Sequence, residues 1–143
     1  MSKGYLIDTD IMIDYFKGKY ALNEKFAEVG LSNCFLSEIT IAELYFGSLK
    51  SKRPQHHLDN LEKAKQKFEV IPISSIIEAY CRERLRLEKN GTPLPNFDLL
   101  IATTSVDNEL TLVTGNVKHH SRVQNIVIEN WRKMKFNSYL QTQ

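Results

Sequence analysis

The chain has 143 residues, of which 42% are hydrophobic and 25% charged, as in ordinary globular proteins and unlike disordered, collagen-like or repeat proteins. This length predicts one domain, which we place at residues 1–132, followed by a polar C-terminal tail at residues 133–143. The net charge of +2 does not by itself indicate a polyanionic partner. No apolar run approaches the ~20 residues that a membrane span needs.

The first residues and the cysteines indicate a cytoplasmic protein. Asp8, Asp10 and Asp14 interrupt what would be the apolar core of a signal peptide. Cys34 and Cys81 show no spacing typical of paired or metal-binding cysteines, so we expect both to be small core residues with reduced thiols.

Short apolar runs alternate with helical patterns along the chain. The apolar runs predict strands at residues 5–7, 34–36, 70–73, 110–113 and 126–128. Helical spacing predicts helices at residues 11–16, 22–29, 40–49, 54–68, 75–89 and 96–106, with Ser75 and Asn96 as the N-caps of the last two. This order predicts an α/β fold, with a mostly parallel sheet and helices on both faces.

Polar side chains follow the predicted strands at equivalent positions. Asp8 closes the first strand, and Glu43 and Asp98 are expected in the first turns of two later helices. Asn116 follows the fourth strand through Thr114. Because ligands bind beyond the carboxyl ends of parallel strands, we expect these side chains to converge at one edge of the sheet.

Converging carboxylates point to a metal ion. Two like charges about 4 Å apart repel by roughly 4 kcal/mol at an effective dielectric near 20, and a divalent cation removes that repulsion. Oxygen ligands without nearby histidine or thiol favour Mg²⁺ or Mn²⁺ over Zn²⁺. Such an ion activates water and offsets charge on a phosphodiester, so the residues predict metal-assisted phosphodiester hydrolysis.

Each of these residues also has a purely structural interpretation. Thr40 and Glu43 have the spacing of a capping box, in which Glu43 would bond back to the start of its helix. Asp98 has the position of an acidic residue facing a helix dipole, and Asn116 is a common turn residue. The joint arrangement, more than any single residue, favours the metal site.

Basic residues concentrate in two zones. Residues 50–67 contain six lysines and arginines against two acidic residues, and residues 117–135 contain five against one. These zones are consistent with a polyanion-binding surface or with ordinary solvated helix faces, and charge alone does not decide between the two.

Four segments carry a resemblance to a known family. They read LIDTDI at residues 6–11, SEITIAEL at 37–44, NFDLLIA at 96–102 and LTLVTGNVKH at 110–119. In order and spacing they resemble the PIN-domain proteins, specifically the VapC-type toxins of toxin–antitoxin pairs, over about residues 5–120. The resemblance implies a three-layer α/β/α fold with about five parallel strands, and a Mg²⁺- or Mn²⁺-dependent endoribonuclease.

The resemblance also implies roles for particular residues. Asp8, Glu43 and Asp98 map to the catalytic metal ligands, Asn116 maps to a further ligand that is often aspartate in relatives, and Thr114 is its hydrogen-bonding neighbour. Family members form homodimers, and a small antitoxin inserts a segment into the active-site groove. We expect the RNA backbone to be held by basic residues around the groove: Lys50, Lys52, Arg53, Lys118 and His119.

Two other functions are compatible with parts of the sequence. Asp8-Thr9-Asp10 resembles the first motif of haloacid-dehalogenase-like phosphatases, in which Asp8 would be the nucleophile and Asp10 the general acid. That fold also needs a later Gly-Asp acidic motif, which we do not find here. The second alternative is a PIN-like module that binds RNA or protein without cutting, for which the amide of Asn116 is the one hint.

Overall fold

Five short strands form a single sheet in this computed structural model, which describes residues 4–132. The strands are β1 (Tyr5–Ile7), β2 (Cys34–Ser37), β3 (Glu69–Ile71), β4 (Thr111–Val113) and β5 (Ile128–Glu129). All neighbouring pairs are parallel, in the order β3-β2-β1-β4-β5. The predicted parallel five-stranded sheet is therefore confirmed.

Helices follow the strands through the described part of the chain. They are α1 (Thr9–Phe16), α2 (Leu22–Val29), α3 (Glu38–Lys50), α4 (Pro54–Lys67), α5 (Ile77–Lys89), α6 (Asn96–Asp107) and the short α7 (Val117–His120). The first six agree with the predicted helices to within two residues at each end, and α7 was not predicted. The predicted tail at residues 133–143 lies outside the described residues.

The sheet separates two hydrophobic cores. Successive residues of a strand point to opposite faces, so Ile7 packs in one core and Leu6 in the other. The first core includes residues of α1, α2 and α4, and the second includes residues of α5 and α6. Trp131, 1% exposed, packs edge-on against Tyr5 in the first core, which confirms its role as a packing anchor.

The strand order determines where a site forms. The chain builds β1, β2 and β3 toward one side of the sheet, then returns to place β4 on the other side of β1. In open α/β sheets the crevice at such a reversal is the usual ligand site. Here the backbone N–H of Asp8 donates to Val113 O at 2.9 Å, so the ends of β1 and β4 lie side by side.

Two predicted helix caps are wrong. Ser75 lies within a 3₁₀ turn (Ile73–Ile76), and α5 begins after Ile76 without a side-chain cap. Asn96 is the first residue of α6, and its side-chain oxygen accepts a hydrogen bond from Tyr80 Oη at 3.0 Å instead. α5 begins two residues after Ser75 and α6 begins at Asn96 itself, so neither residue occupies the N-cap position.

The two cysteines differ in environment. Cys34 is a buried core residue, as predicted, and burial raises the pKa of its thiol to about 12. Cys81 is exposed on α5, so its predicted core position is wrong. Within residues 4–132, every helix is too short or too polar to cross a lipid bilayer.

Candidate active site

Asp8 is held by three hydrogen bonds at the end of β1. It is the N-cap residue of α1, and its Oδ1 accepts from the backbone N–H of Thr9 at 2.8 Å. Its Oδ2 accepts from Thr114 Oγ1 at 2.8 Å and lies 3.2 Å from His120 Nε2. A carboxylate that is buried at the mouth of the sheet therefore has a defined orientation.

Thr9 connects Glu43 to this point. The Thr9 hydroxyl donates to Glu43 Oε1 at 2.6 Å, and Thr40 Oγ1 lies 2.9 Å from the same hydroxyl. Glu43 is in the second turn of α3, one turn later than predicted. Ser37 caps this helix by accepting from Ile39 N, so the capping-box interpretation of Thr40 and Glu43 is wrong.

The carboxyl groups of Glu43 and Asp98 experience the charge of Asp8. Burial raises the pKa of Glu43 most, the charges of Asp8 and Asp98 raise it further, and the hydrogen bond from Thr9 lowers it. Burial also raises the pKa of Asp98, which lies in the first turn of α6 as predicted. Asp8 adds to this rise, while the imidazoles of His120 and His119 oppose it. Three carboxylates from three elements therefore share one electrostatic environment.

Thr114 and Asn116 lie beside Asp8 in different ways. The Thr114 hydroxyl donates to Asp8 and accepts from the backbone N–H of Asn116 at 3.0 Å. Asn116 precedes α7 as its N-cap residue, and its side chain takes no part in the hydrogen bonds that hold Asp8. The ligand role implied for Asn116 by the family resemblance stays a prediction.

His120 and Thr9 are site residues that sequence reasoning missed. The predicted separation of the His119–His120 pair is correct, because His119 is exposed while His120 is fully buried. α7 has only four residues, so it offers no periodicity from which the burial of His120 could have been predicted. Thr9 follows Asp8 directly, and no sequence pattern indicates that its hydroxyl reaches Glu43.

A second acidic pair lies nearby and has a cation of its own. Arg132 Nε donates to Asp14 Oδ2 at 2.6 Å, and Arg132 Nη1 is 3.7 Å from Asp10 Oδ2. Asp10 Oδ2 also accepts from the backbone N–H of Gly115 at 3.0 Å. Burial and the charge of Asp8 raise the pKa of Asp10, against the lowering effects of the Gly115 N–H and Arg132. Asp10 and Asp14 are thus bound to a structural arginine.

The predicted RNA-binding residues form two separate exposed groups. Lys118 and His119 are on α7, and the effect of His119 on the pKa of Asp98 places it near the carboxylates. Lys50, at the end of α3, is seven residues after Glu43, which corresponds to about 10 Å along the helix. Lys52 and Arg53 follow in the exposed connection to α4.

The carboxylates are grouped loosely. Among residues 4–132, no three carboxylate, imidazole or thiol side chains are close enough together to hold a metal ion without rearrangement. In the same range, no lysine or arginine forms an ion pair with Asp8, Glu43 or Asp98. The cluster is therefore acidic and lacks a lysine or arginine partner in the described chain.

The family model for the PIN domain matches residues 5–125, which include Asp8, Glu43, Asp98 and the side chains that hydrogen-bond to Asp8. The chain belongs to the PIN-domain family. It is 34% identical over 139 residues to ribonuclease VapC2 of Rickettsia felis, covering 90% of this chain and 98% of that protein. It is 30% identical over 129 residues to the tRNA(fMet)-specific endonuclease VapC of Salmonella typhimurium, covering 89% of this chain and 97% of the relative.

A solved structure supports this relationship within the PIN-domain family. The crystal structure of VapBC2 from Rickettsia felis, bound to a DNA fragment from its promoter, superimposes with a TM-score of 0.78 and 31% identity. The match covers 89% of this chain and 98% of that one. The predicted resemblance to PIN-domain proteins of the VapC type is confirmed, and it favours a nuclease over the phosphatase alternative.

Proposed function

We propose that this PIN-domain chain is a ribonuclease of the VapC type that hydrolyses RNA phosphodiester bonds at the cluster of Asp8, Glu43 and Asp98. The observation that carries the proposal is the convergence of these three carboxylates at the reversal point of the sheet, without a lysine or arginine partner within residues 4–132. The similarity to proteins named ribonuclease VapC2 and tRNA(fMet)-specific endonuclease supports RNA as the substrate class.

A divalent cation fits the chemistry of this cluster. Carboxylate oxygens are hard ligands that suit Mg²⁺ or Mn²⁺, and the charge of Asp8, which raises the pKa values of Glu43 and Asp98 in addition to burial, supports a place for added positive charge. Because the described groups do not form a closed metal centre, binding would require side chains of the cluster to rearrange. The ion would offset negative charge on the phosphate and make water a stronger nucleophile.

The protein's own residues supply orientation. Asp8 is held by Thr9 N–H, Thr114 and His120, whereas Glu43 is held by the Thr9 hydroxyl alone. Thr9 therefore touches two of the three carboxylates, through its backbone and its side chain. Such positioning matters because a small displacement of a reacting group reduces the rate of a positioned reaction considerably.

The exposed basic residues are suited to hold the RNA backbone. His119 is near enough to Asp98 to affect its pKa, Lys118 precedes it on α7, and Lys50, Lys52 and Arg53 are exposed at and after the end of α3. Contacts of this kind supply affinity and orientation without reading sequence. We therefore expect the choice of RNA to depend on its shape at the cleavage site more than on these five side chains.

An antitoxin is the partner that we propose. The VapBC2 structure to which the chain is similar is a complex. In this chain a cavity of about 220 Å³ opens beside Glu43, with Ile13, Leu44 and His57 among its lining residues. A segment that fills this cavity would lie against Glu43. We also expect a homodimer, as the family resemblance implies.

The test is RNA cleavage by the purified chain. Total cellular RNA is incubated with wild type or Asp98→Asn in Mg²⁺, Mn²⁺ or EDTA, and the fragments are separated on a gel. We expect discrete fragments from wild type with metal, and at least about 100-fold less cleavage from Asp98→Asn, since removing a metal ligand removes the transition-state stabilisation that the ion supplies.

The matched control is Asp107→Asn, which changes an exposed aspartate at the other end of the same helix, α6. It should cleave like wild type. Millimolar Mn²⁺ should also raise the Tm of wild type and of Asp107→Asn more than that of Asp98→Asn. Intact RNA with folded, antitoxin-free wild type in every lane would contradict the proposal and favour a non-catalytic module.

A further inference from the structure

His120 is the buried histidine of the site. It is the last residue of α7, its side chain is 0% exposed, and its Nε2 lies 3.2 Å from Asp8 Oδ2. The two residues are 112 positions apart in the chain. The contact therefore joins the element after β4 to the carboxylate after β1.

The surrounding hydrogen bonds determine which nitrogen of His120 carries the proton. Thr114 Oγ1 accepts from the backbone N–H of Asn116, so its own proton points to Asp8 Oδ2. An ionised carboxylate only accepts hydrogen bonds, and His120 Nε2 must then be the donor to Asp8. Within residues 4–132, His120 Nδ1 is buried and has no hydrogen-bond partner.

The geometry thus makes His120 a donor to Asp8 through its Nε2–H. Because His120 is fully buried, the surrounding chain keeps this donor facing Asp8 and holds the carboxylate in one orientation.

We propose that His120 is a positioning residue for the divalent-cation site. A carboxylate offers about four acceptor positions. Thr114 and His120 occupy the two on Asp8 Oδ2, and Thr9 N–H occupies one on Oδ1. His120 therefore completes the fixed side of Asp8 and leaves one open position, on Oδ1, for a cation. This inference rests on the proposed function, and it adds the residue that holds the first ligand.

The first test is nuclear magnetic resonance of the full chain labelled with ¹⁵N in its histidines, without metal. The nitrogen shifts of His120, assigned by comparison with His120→Gln, should show a proton on Nε2 that is hydrogen-bonded to Asp8. An Nε2 that carries no proton would overturn the proposal. A residue that merely fills space has no reason to keep its proton on Nε2.

The second test is the affinity for Mn²⁺ alone, measured from the paramagnetic resonance signal of free Mn²⁺. His120→Phe keeps a ring and loses the donor, so we expect binding to weaken about tenfold or more, as is usual when a hydrogen-bond partner of a metal ligand is removed. His120→Gln retains an amide donor near the Nε2 position and should stay within about threefold of wild type. His56→Phe, an exposed histidine on α4, is the matched control.

Several outcomes would contradict the proposal. Wild-type affinity in His120→Phe, an equal loss in His120→Gln, or no Mn²⁺ binding by wild type would each overturn it. If His120→Phe does not fold, the comparison of His120→Gln with His120→Asn, whose amide is too short to reach Asp8, replaces it. Neither test uses RNA. If both tests gave the expected results but the protein cut no RNA, the proposed function would be refuted and this inference would still hold.

Discussion

Two acidic groups lie at the same end of the sheet and differ in what neutralises them. Asp10 and Asp14 face Arg132, which forms a 2.6 Å contact with Asp14 and a 3.7 Å contact with Asp10. Asp8, Glu43 and Asp98 have hydrogen-bond donors and imidazoles around them, and no arginine or lysine within residues 4–132 pairs with them. We call these the paired group and the unpaired group.

The difference separates structural from functional carboxylates. Burying a carboxylate is costly unless a partner compensates, and the paired group has a partner within the chain. The unpaired group has no such partner: burial most of all, and the charge of Asp8 in addition, raise the pKa values of Glu43 and Asp98. A protein tolerates such a cost where function needs it. Position in the sequence does not reveal this, because Asp8 and Asp10 are two residues apart and belong to different groups.

The largest expected effect is on cleavage. Glu43→Gln keeps an oxygen that accepts the hydrogen bond from Thr9 and removes one charge from the unpaired group. We expect at least about 100-fold slower RNA cleavage with Mg²⁺ or Mn²⁺, from loss of a metal ligand, and a folded protein. The measurement is a time course of cleavage at saturating metal, together with the Tm.

Asp14→Asn is the contrasting variant, from the paired group. It should lower stability and leave the affinity for Mn²⁺ within about twofold of wild type, since Asp14 is bound to Arg132 and does not belong to the cluster. If Glu43→Gln and Asp14→Asn reduced Mn²⁺ affinity equally, the distinction between the two groups would be wrong.

A smaller effect is expected on stability when Arg132 is changed. Arg132→Met leaves Asp14 buried without its partner, and we expect a loss of about 1–3 kcal/mol in the free energy of unfolding. The loss is below that of a fully buried pair because the Arg132 side chain is 31% exposed. Arg82→Met breaks an exposed ion pair with Glu78 and should cost less than about 1 kcal/mol. Urea denaturation measures both, and equal losses would count against a structural role for Arg132.

Most of the fold could be predicted from the sequence. Short apolar runs such as Tyr5–Ile7 form the strands of the sheet. Apolar residues at helical spacing, with glycine or proline near the ends, predicted six of the helices. The caps at Ser75 and Asn96 were mispredicted because a polar residue near a helix start need not be the cap: Ile76 and Pro95 hold the N-cap positions, and neither makes a side-chain cap. The position of Asp8 followed from the strand that precedes it, since a carboxylate after a buried strand lies at the sheet edge.

The contacts within the site were harder to predict, because they join residues far apart in the chain. Arg132 reaches Asp14 over 118 positions, and His120 reaches Asp8 over 112. No periodic pattern encodes such contacts. A four-residue helix also shows too little periodicity to tell which of His119 and His120 is buried. Glu43 was placed one turn too early because the cap is Ser37, not Thr40.

The smallest expected effect is the pH dependence of stability that the unpaired group causes. A carboxyl group whose pKa is higher in the folded than in the unfolded protein binds more protons when folded, so stability falls as pH rises through the interval between the two values. Asp98 is such a group. Its charge therefore costs stability at pH 7, and Asp98→Asn should remove that cost. The difference should shrink toward pH 4 and vanish below about pH 3, where the carboxyl is largely protonated in both states.

The measurement is the free energy of unfolding of wild type and Asp98→Asn at pH 7 and pH 4 in EDTA. The advantage of the variant over wild type in the free energy of unfolding should be larger at pH 7 than at pH 4 by up to about 1 kcal/mol. The value is small because Asp98 is only half-buried. Asp107→Asn, which changes an exposed aspartate on the same helix, should show no such trend. If wild type instead became more stable relative to Asp98→Asn toward neutral pH, Asp98 would have a stabilising partner. The distinction between the paired and the unpaired group would then be wrong.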